Sequence, residues 1–75
     1  MPHVEAAHLR AAATHDRAAQ VHEQAAELFA GMGLPSLARD QRARARLDHD
    51  GAAVERERAQ LRHEWNASRS ADRGR

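Results

Sequence analysis

The sequence predicts an all-α fold: a two-helix antiparallel hairpin that dimerises into a four-helix bundle. Three observations point there. Residues 4–32 carry an unbroken seven-residue apolar rhythm, and Leu47, Val54 and Leu61 keep the same period further on. Between the two lies Gly31-Met32-Gly33-Leu34-Pro35-Ser36, a stretch built to break a helix. Aromatic residues are limited to Phe29 and Trp65 while Ala is abundant, which suits closely packed helices and disfavours a sheet.

The first element is expected over about residues 4–31. Val4, Ala7, Ala11, Thr14, Ala18, Val21, Ala25, Leu28 and Met32 alternate at spacings of three and four, which places them on one stripe of a helix. This stripe is expected to be the seam against a second helix, with Ala12, Ala19 and Ala26 facing outward. Its small residues favour close approach, toward the short end of the ~8–10 Å range of axial separations. His8, His15 and His22 repeat at the same period just beside it. Pro2 is tolerated in the first turn, and Glu5 suits the positive end of the helix dipole.

The turn is expected at residues 31–36. Glycine supplies the left-handed residue that ends many helices, and Pro35 bars helical geometry at Leu34. Ser36 is a candidate cap for the next helix. A connection this short makes the two helices antiparallel neighbours.

The second helix is expected over about residues 37–66. Ala43, Leu47, Gly51, Val54, Leu61 and Trp65 share its apolar stripe, with Asp40 and Arg58 falling in the same line. The ladder Asp40, Arg44, Asp48 and the pair Arg46 and Asp50 add i,i+4 support, about 0.2–0.5 kcal/mol each. Because Leu47, Val54 and Leu61 hold their spacing across Gly51, the helix should run straight through, with Gly51 a point of close approach. Residues 67–75 are polar and aperiodic and are expected to be a disordered tail, so residues 1–66 form the hairpin.

Composition narrows the function. A chain of 75 residues has little core of its own and usually needs a staple or a partner. There is no Cys, hence no disulfide, thiolate site or cysteine nucleophile. Net charge is +1, all twelve basic residues are Arg, and acids interleave with Arg39, Arg42, Arg44 and Arg46, so a nucleic-acid surface is not expected. No apolar run reaches membrane-spanning length and no signal-peptide pattern opens the chain, so a cytoplasmic location is expected. Ser36, Ser68 and Ser70 lack the setting of a nucleophile elbow, and Gly31-Met32-Gly33 lacks the strand and spacing of a phosphate loop. The chain reads as non-catalytic.

Six His admit a metal reading, with zinc or iron as the ions suited to imidazole and carboxylate donors. Successive His on the first helix stand about 10.5 Å apart, so one ion needs ligands from both helices. Folding at Gly33 brings His15 toward His49 and His3 toward His63, the two candidate pairs. Glu5-Ala6-Ala7-His8 also echoes the Glu-x-x-His pattern of di-iron bundles. The alternative makes these His ordinary polar residues flanking a seam. If they border Arg, acidification should loosen the fold, and if they border carboxylates it should hold or strengthen it.

Two resemblances bear on the hairpin. Residues 25–38 resemble the junction between helices of a tetratricopeptide repeat, without a second copy of the repeat. Phe29-Ala30-Gly31 at the turn resembles the WXG100 family of small exported helical hairpins, with Phe where that motif has Trp and no Tyr in the tail. That resemblance implies an exported hairpin. The residues themselves lead to a small protein–protein interaction module, an adaptor, regulator or scaffold, that pairs with itself and with a further protein partner. Its contact residues are those of the first stripe together with Leu47, Gly51, Val54, Leu61 and Trp65.

Overall fold

A computed structural model describes residues 2–73, with side chains described for residues 4–72. It is a two-helix hairpin: α1 spans Pro2–Gly31 and α2 spans Pro35–Arg73. The Cα trace measures 65 × 14 × 10 Å. With Cα atoms about 2.3 Å from each axis, a 14 Å width leaves roughly 9 Å between the helices. That is an ordinary separation for packed helices, which lie about 8–10 Å apart.

The turn forms by a paired C-cap. Gly33 has φ +74°, the left-handed conformation that glycine adopts without a Cβ clash. Leu34 N–H donates to the Phe29 carbonyl at 2.9 Å and Gly33 N–H donates to the Ala30 carbonyl at 3.1 Å, which satisfies two of the last carbonyls of α1. Pro35 is the first residue of α2, where its missing N–H costs nothing. The Leu34 carbonyl accepts from Ala38 N–H at 3.1 Å, so α2 begins at Pro35, two residues earlier than a Ser36 cap would set. Ser36 Oγ instead accepts from Arg39 Nη2 at 3.2 Å inside the first turn.

The core consists of alanine alone. Ala12, Ala19 and Ala26 on α1 and Ala38, Ala45, Ala52 and Ala59 on α2 are 0–3% exposed, and among the described residues nothing larger is buried. Each set repeats every seven residues, so two matched small stripes meet along the hairpin. This corrects the expectation that Ala12, Ala19 and Ala26 face outward. The stripe expected to form the seam is not the contact between α1 and α2. Val21, Leu28, Met32, Leu47, Val54, Leu61 and Trp65 are 44–71% exposed. Ala7 and Thr14 are exposed too, while Val4, Ala11, Ala18, Ala25 and Gly51 are half-buried. The physical reason is matching: the alanine row of α1 meets an uninterrupted alanine row on α2, whereas Asp40 and Arg58 interrupt the line opposite the expected seam.

Helix α2 is continuous across Gly51. A Cβ there would meet three atoms of the His15 imidazole at 3.1–3.2 Å, so this glycine does mark a close approach. The helix also continues past Asn66 to Arg73, through residues expected to be irregular, because no Gly or Pro interrupts it before Gly74. Residues 74–75 of the expected tail lie outside the described residues. In that stretch Trp65 lies between two guanidinium groups, Arg62 at 4.7 Å and Arg69 at 4.5 Å from the ring centre.

Candidate interaction surface

The polar side chains beside the alanine core fix the two faces of the hairpin. Along one edge, His8 Nδ1–H donates to Glu55 Oε2 at 2.6 Å, His15 Nδ1–H to Asp48 Oδ1 at 3.0 Å, and His22 Nδ1–H to Gln41 Oε1 at 2.7 Å. The acceptors repeat every seven residues, as the histidines do, so the two rows zip together in antiparallel order. Asp48 also lies 3.6 Å from His22 Nε2. His22 thus has an acceptor near each ring nitrogen. The Glu55 carboxyl is held below the usual carboxylate range. The hydrogen bond from His8 is the main cause, burial opposes it, and the charges of His8, Arg58 and His15 add to the lowering.

Along the opposite edge, Arg56 donates to Asp16 and His49 Nε2–H donates to Glu23 Oε1 at 2.8 Å. Near the open end His63 Nδ1 lies 3.4 Å from Glu5 Oε1. Arg42, Arg46 and Glu27 line an open groove on this same side, over Ala26 and Ala45. That face is mostly charged, with Leu9 exposed in the row of Asp16 and Glu23.

The other face is not. Moving outward from the His8, His15, His22 row, the next positions on α1 are Val4, Ala11, Ala18, Ala25 and Met32, then Ala7, Thr14, Val21 and Leu28. On α2 the positions next to Gln41, Asp48 and Glu55 are Leu37, Gly51 and Trp65, then Leu47, Val54 and Leu61. The expected stripes therefore spread outward from the histidine zipper, the rows of Ala11 and Gly51 beside it and the rows of Val21 and Leu47 toward the two flanks. Within this surface Asp40, Arg44 and Arg58 are charged. Asp40 pairs with Arg44 at 3.3 Å and Arg58 with Glu55 at 3.3 Å. Asp48, expected to extend the Asp40 and Arg44 ladder, turns instead to His15 and His22.

Of the candidate metal pairs, His15 and His49 sit on different edges. His15 lies on the zipper edge and His49 on the opposite, charged edge, each held by its own carboxylate. His63 faces Glu5, and the side chain of His3 lies outside the described residues. Among the described residues no group of three or more His, Asp or Glu is arranged to hold a metal ion. No helix described here is long and apolar enough to cross a membrane. No protein-family model, curated protein or solved structure matches the chain.

The sequence reading missed the zipper, although its signal was present. Gln41, Asp48 and Glu55 share the seven-residue period of His8, His15 and His22 and mirror them about the turn.

Proposed function

We propose that this chain is a small non-catalytic interaction module that works as a homodimeric four-helix bundle, joining two hairpins through their apolar faces and serving as an adaptor, regulator or scaffold for a further protein. The observation that carries this reading is the inversion of burial: the core holds only alanine, while ten larger apolar side chains, from Leu9 to Trp65, are exposed. A lone hairpin gains little from burying alanine, since hydrophobic stabilisation scales with apolar area removed from water. The shared face is about 40 Å long and about 20 Å wide, from the rise and diameter of two helices. That is roughly 800 Å² per partner, the size of a standard stable interface. The contact residues are Val4, Ala7, Ala11, Thr14, Ala18, Val21, Ala25, Leu28 and Met32 with Leu47, Gly51, Val54, Leu61 and Trp65.

Sedimentation velocity at micromolar concentration is the test. A species of twice the chain mass and a melting temperature that rises with concentration are expected. A well-folded monomer at those concentrations would overturn the proposal.

A further inference from the structure

We infer that the two hairpins pack with their turns at opposite ends, α1 antiparallel over the partner's α1 and α2 antiparallel over the partner's α2. This rests on the homodimer reading and fixes its geometry. Twofold pairing through one face admits two arrangements, turns together or turns opposed. With turns together each α1 covers the partner's α2. Asp40 and Arg44, paired with each other near the turn, then face the Leu28 and Met32 half of α1, which offers no further charge to either. Burying charges against that surface is costly.

With turns opposed, shape and charge both match. The α1 stripe is bulky near the turn (Val21, Leu28, Met32) and, apart from Val4, small toward the open end (Ala7, Ala11, Thr14). Laid antiparallel on its copy, Leu28 falls over the partner's Ala7 and Val21 over the partner's Thr14, which centres α1 near Ala18. On α2 the same operation sets Asp40 over the partner's Arg58 and Leu37 over the partner's Leu61, which centres α2 near His49. The hairpin already holds these two centres at one level: His15 lies against Gly51, and His22 lies beside Asp48. One twofold axis therefore satisfies both helices, although each centre comes from a different helix's side chains.

Charge reversal reads the arrangement directly. Asp40 and Arg58 are 18 residues apart on one straight helix, about 27 Å, so no contact within a chain can couple them. Asp40→Arg and Arg58→Asp should each weaken the dimer about tenfold, because the symmetric interface carries each contact twice. The double variant D40R/R58D should return to within about twofold of the parent, measured by sedimentation equilibrium with circular dichroism confirming that every variant is helical. A second readout uses the absence of native Cys. Mixing chains carrying Leu28→Cys with chains carrying Ala7→Cys should give an oxidised mixed dimer. A dimer in which the charge swap fails to rescue, or in which Leu28→Cys crosslinks to Asp40→Cys on another chain instead, overturns the opposed arrangement and leaves dimerisation standing. A folded, monomeric parent chain overturns both.

Discussion

Ala19 sits at 0% exposure in the middle of α1, and replacing it with Leu tests the core most directly. The change adds three carbons where both helices present only alanine, with Ala45 and Ala52 the nearby levels of the opposing stripe. Contact between two alanine rows leaves no room for a leucine, so the helices must part or the side chain must leave its preferred rotamer. Overpacking of this kind costs about 1–3 kcal/mol. For a domain of this size that corresponds to a drop in melting temperature on the order of 10 °C. Separation also stretches the His15 and Asp48 contact one turn away, which pushes the cost toward the upper end. Thermal melts followed by circular dichroism at fixed concentration make the measurement. Gln20→Leu, one residue on and exposed, should change the melting temperature little, and Ala18→Leu should act on dimerisation more than on the hairpin. If Ala19→Leu proves as mild as Gln20→Leu, the alanine stripe is not the contact.

Three further outcomes are expected. Gly51→Ala gains about 0.5–1 kcal/mol of helix propensity but crowds the His15 ring, so it should be near neutral alone and stabilising in a His15→Ala background; additivity in that double-mutant cycle would refute the contact. The Glu55 carboxyl is lowered in the folded chain, so its contribution is present above about pH 4.5 and lost as pH falls through the lowered value. Glu55→Gln should therefore melt earlier than the parent at neutral pH and converge with it in acid, and a constant offset at all pH values would count against the His8 pairing. Leu28→Ser should weaken self-association by more than tenfold while leaving helical content intact, because the side chain is exposed in the hairpin and would be buried only in the proposed dimer; a loss of helix without a change in association would place Leu28 in the wrong role.

The hairpin itself was legible in the residues. Gly33 and Pro35 mark the turn, and the period through Leu47, Val54 and Leu61 carries the helix across Gly51. The facing phase was not legible from α1 alone. Valine and leucine outrank alanine on any hydrophobicity scale, so the Val4 to Met32 stripe looks like the seam, and the stripe of Ala12, Ala19 and Ala26 looks like filler. Two helices decide the matter together. Only Ala12, Ala19 and Ala26 have a uniform alanine counterpart on the other helix, at Ala38, Ala45, Ala52 and Ala59. The expected seam lacks one, since Asp40 and Arg58 interrupt the matching line. Nor was the edge that each histidine occupies legible: sequence distance from the turn places His15 and His49 at similar levels, but says nothing about which edge each takes.

An all-alanine stripe has one weakness that larger residues would not share. Methyl groups repeated every seven residues look alike at each step, so the contact would be nearly as good if one helix slid along the other by two turns. Shape gives little information about alignment, and something else must hold it. The zipper does so: sliding α2 by seven residues in one direction sets His8 against Arg62, and in the other leaves His22 without Gln41. Polar contacts of small net worth can thus select one alignment from several of similar packing energy, as a single buried polar residue does in coiled coils. The capped turn at Gly33 fixes the same choice from the end of the ladder. Stripping the three histidines to alanine should therefore leave a helical chain whose alignment rests on the capped turn alone.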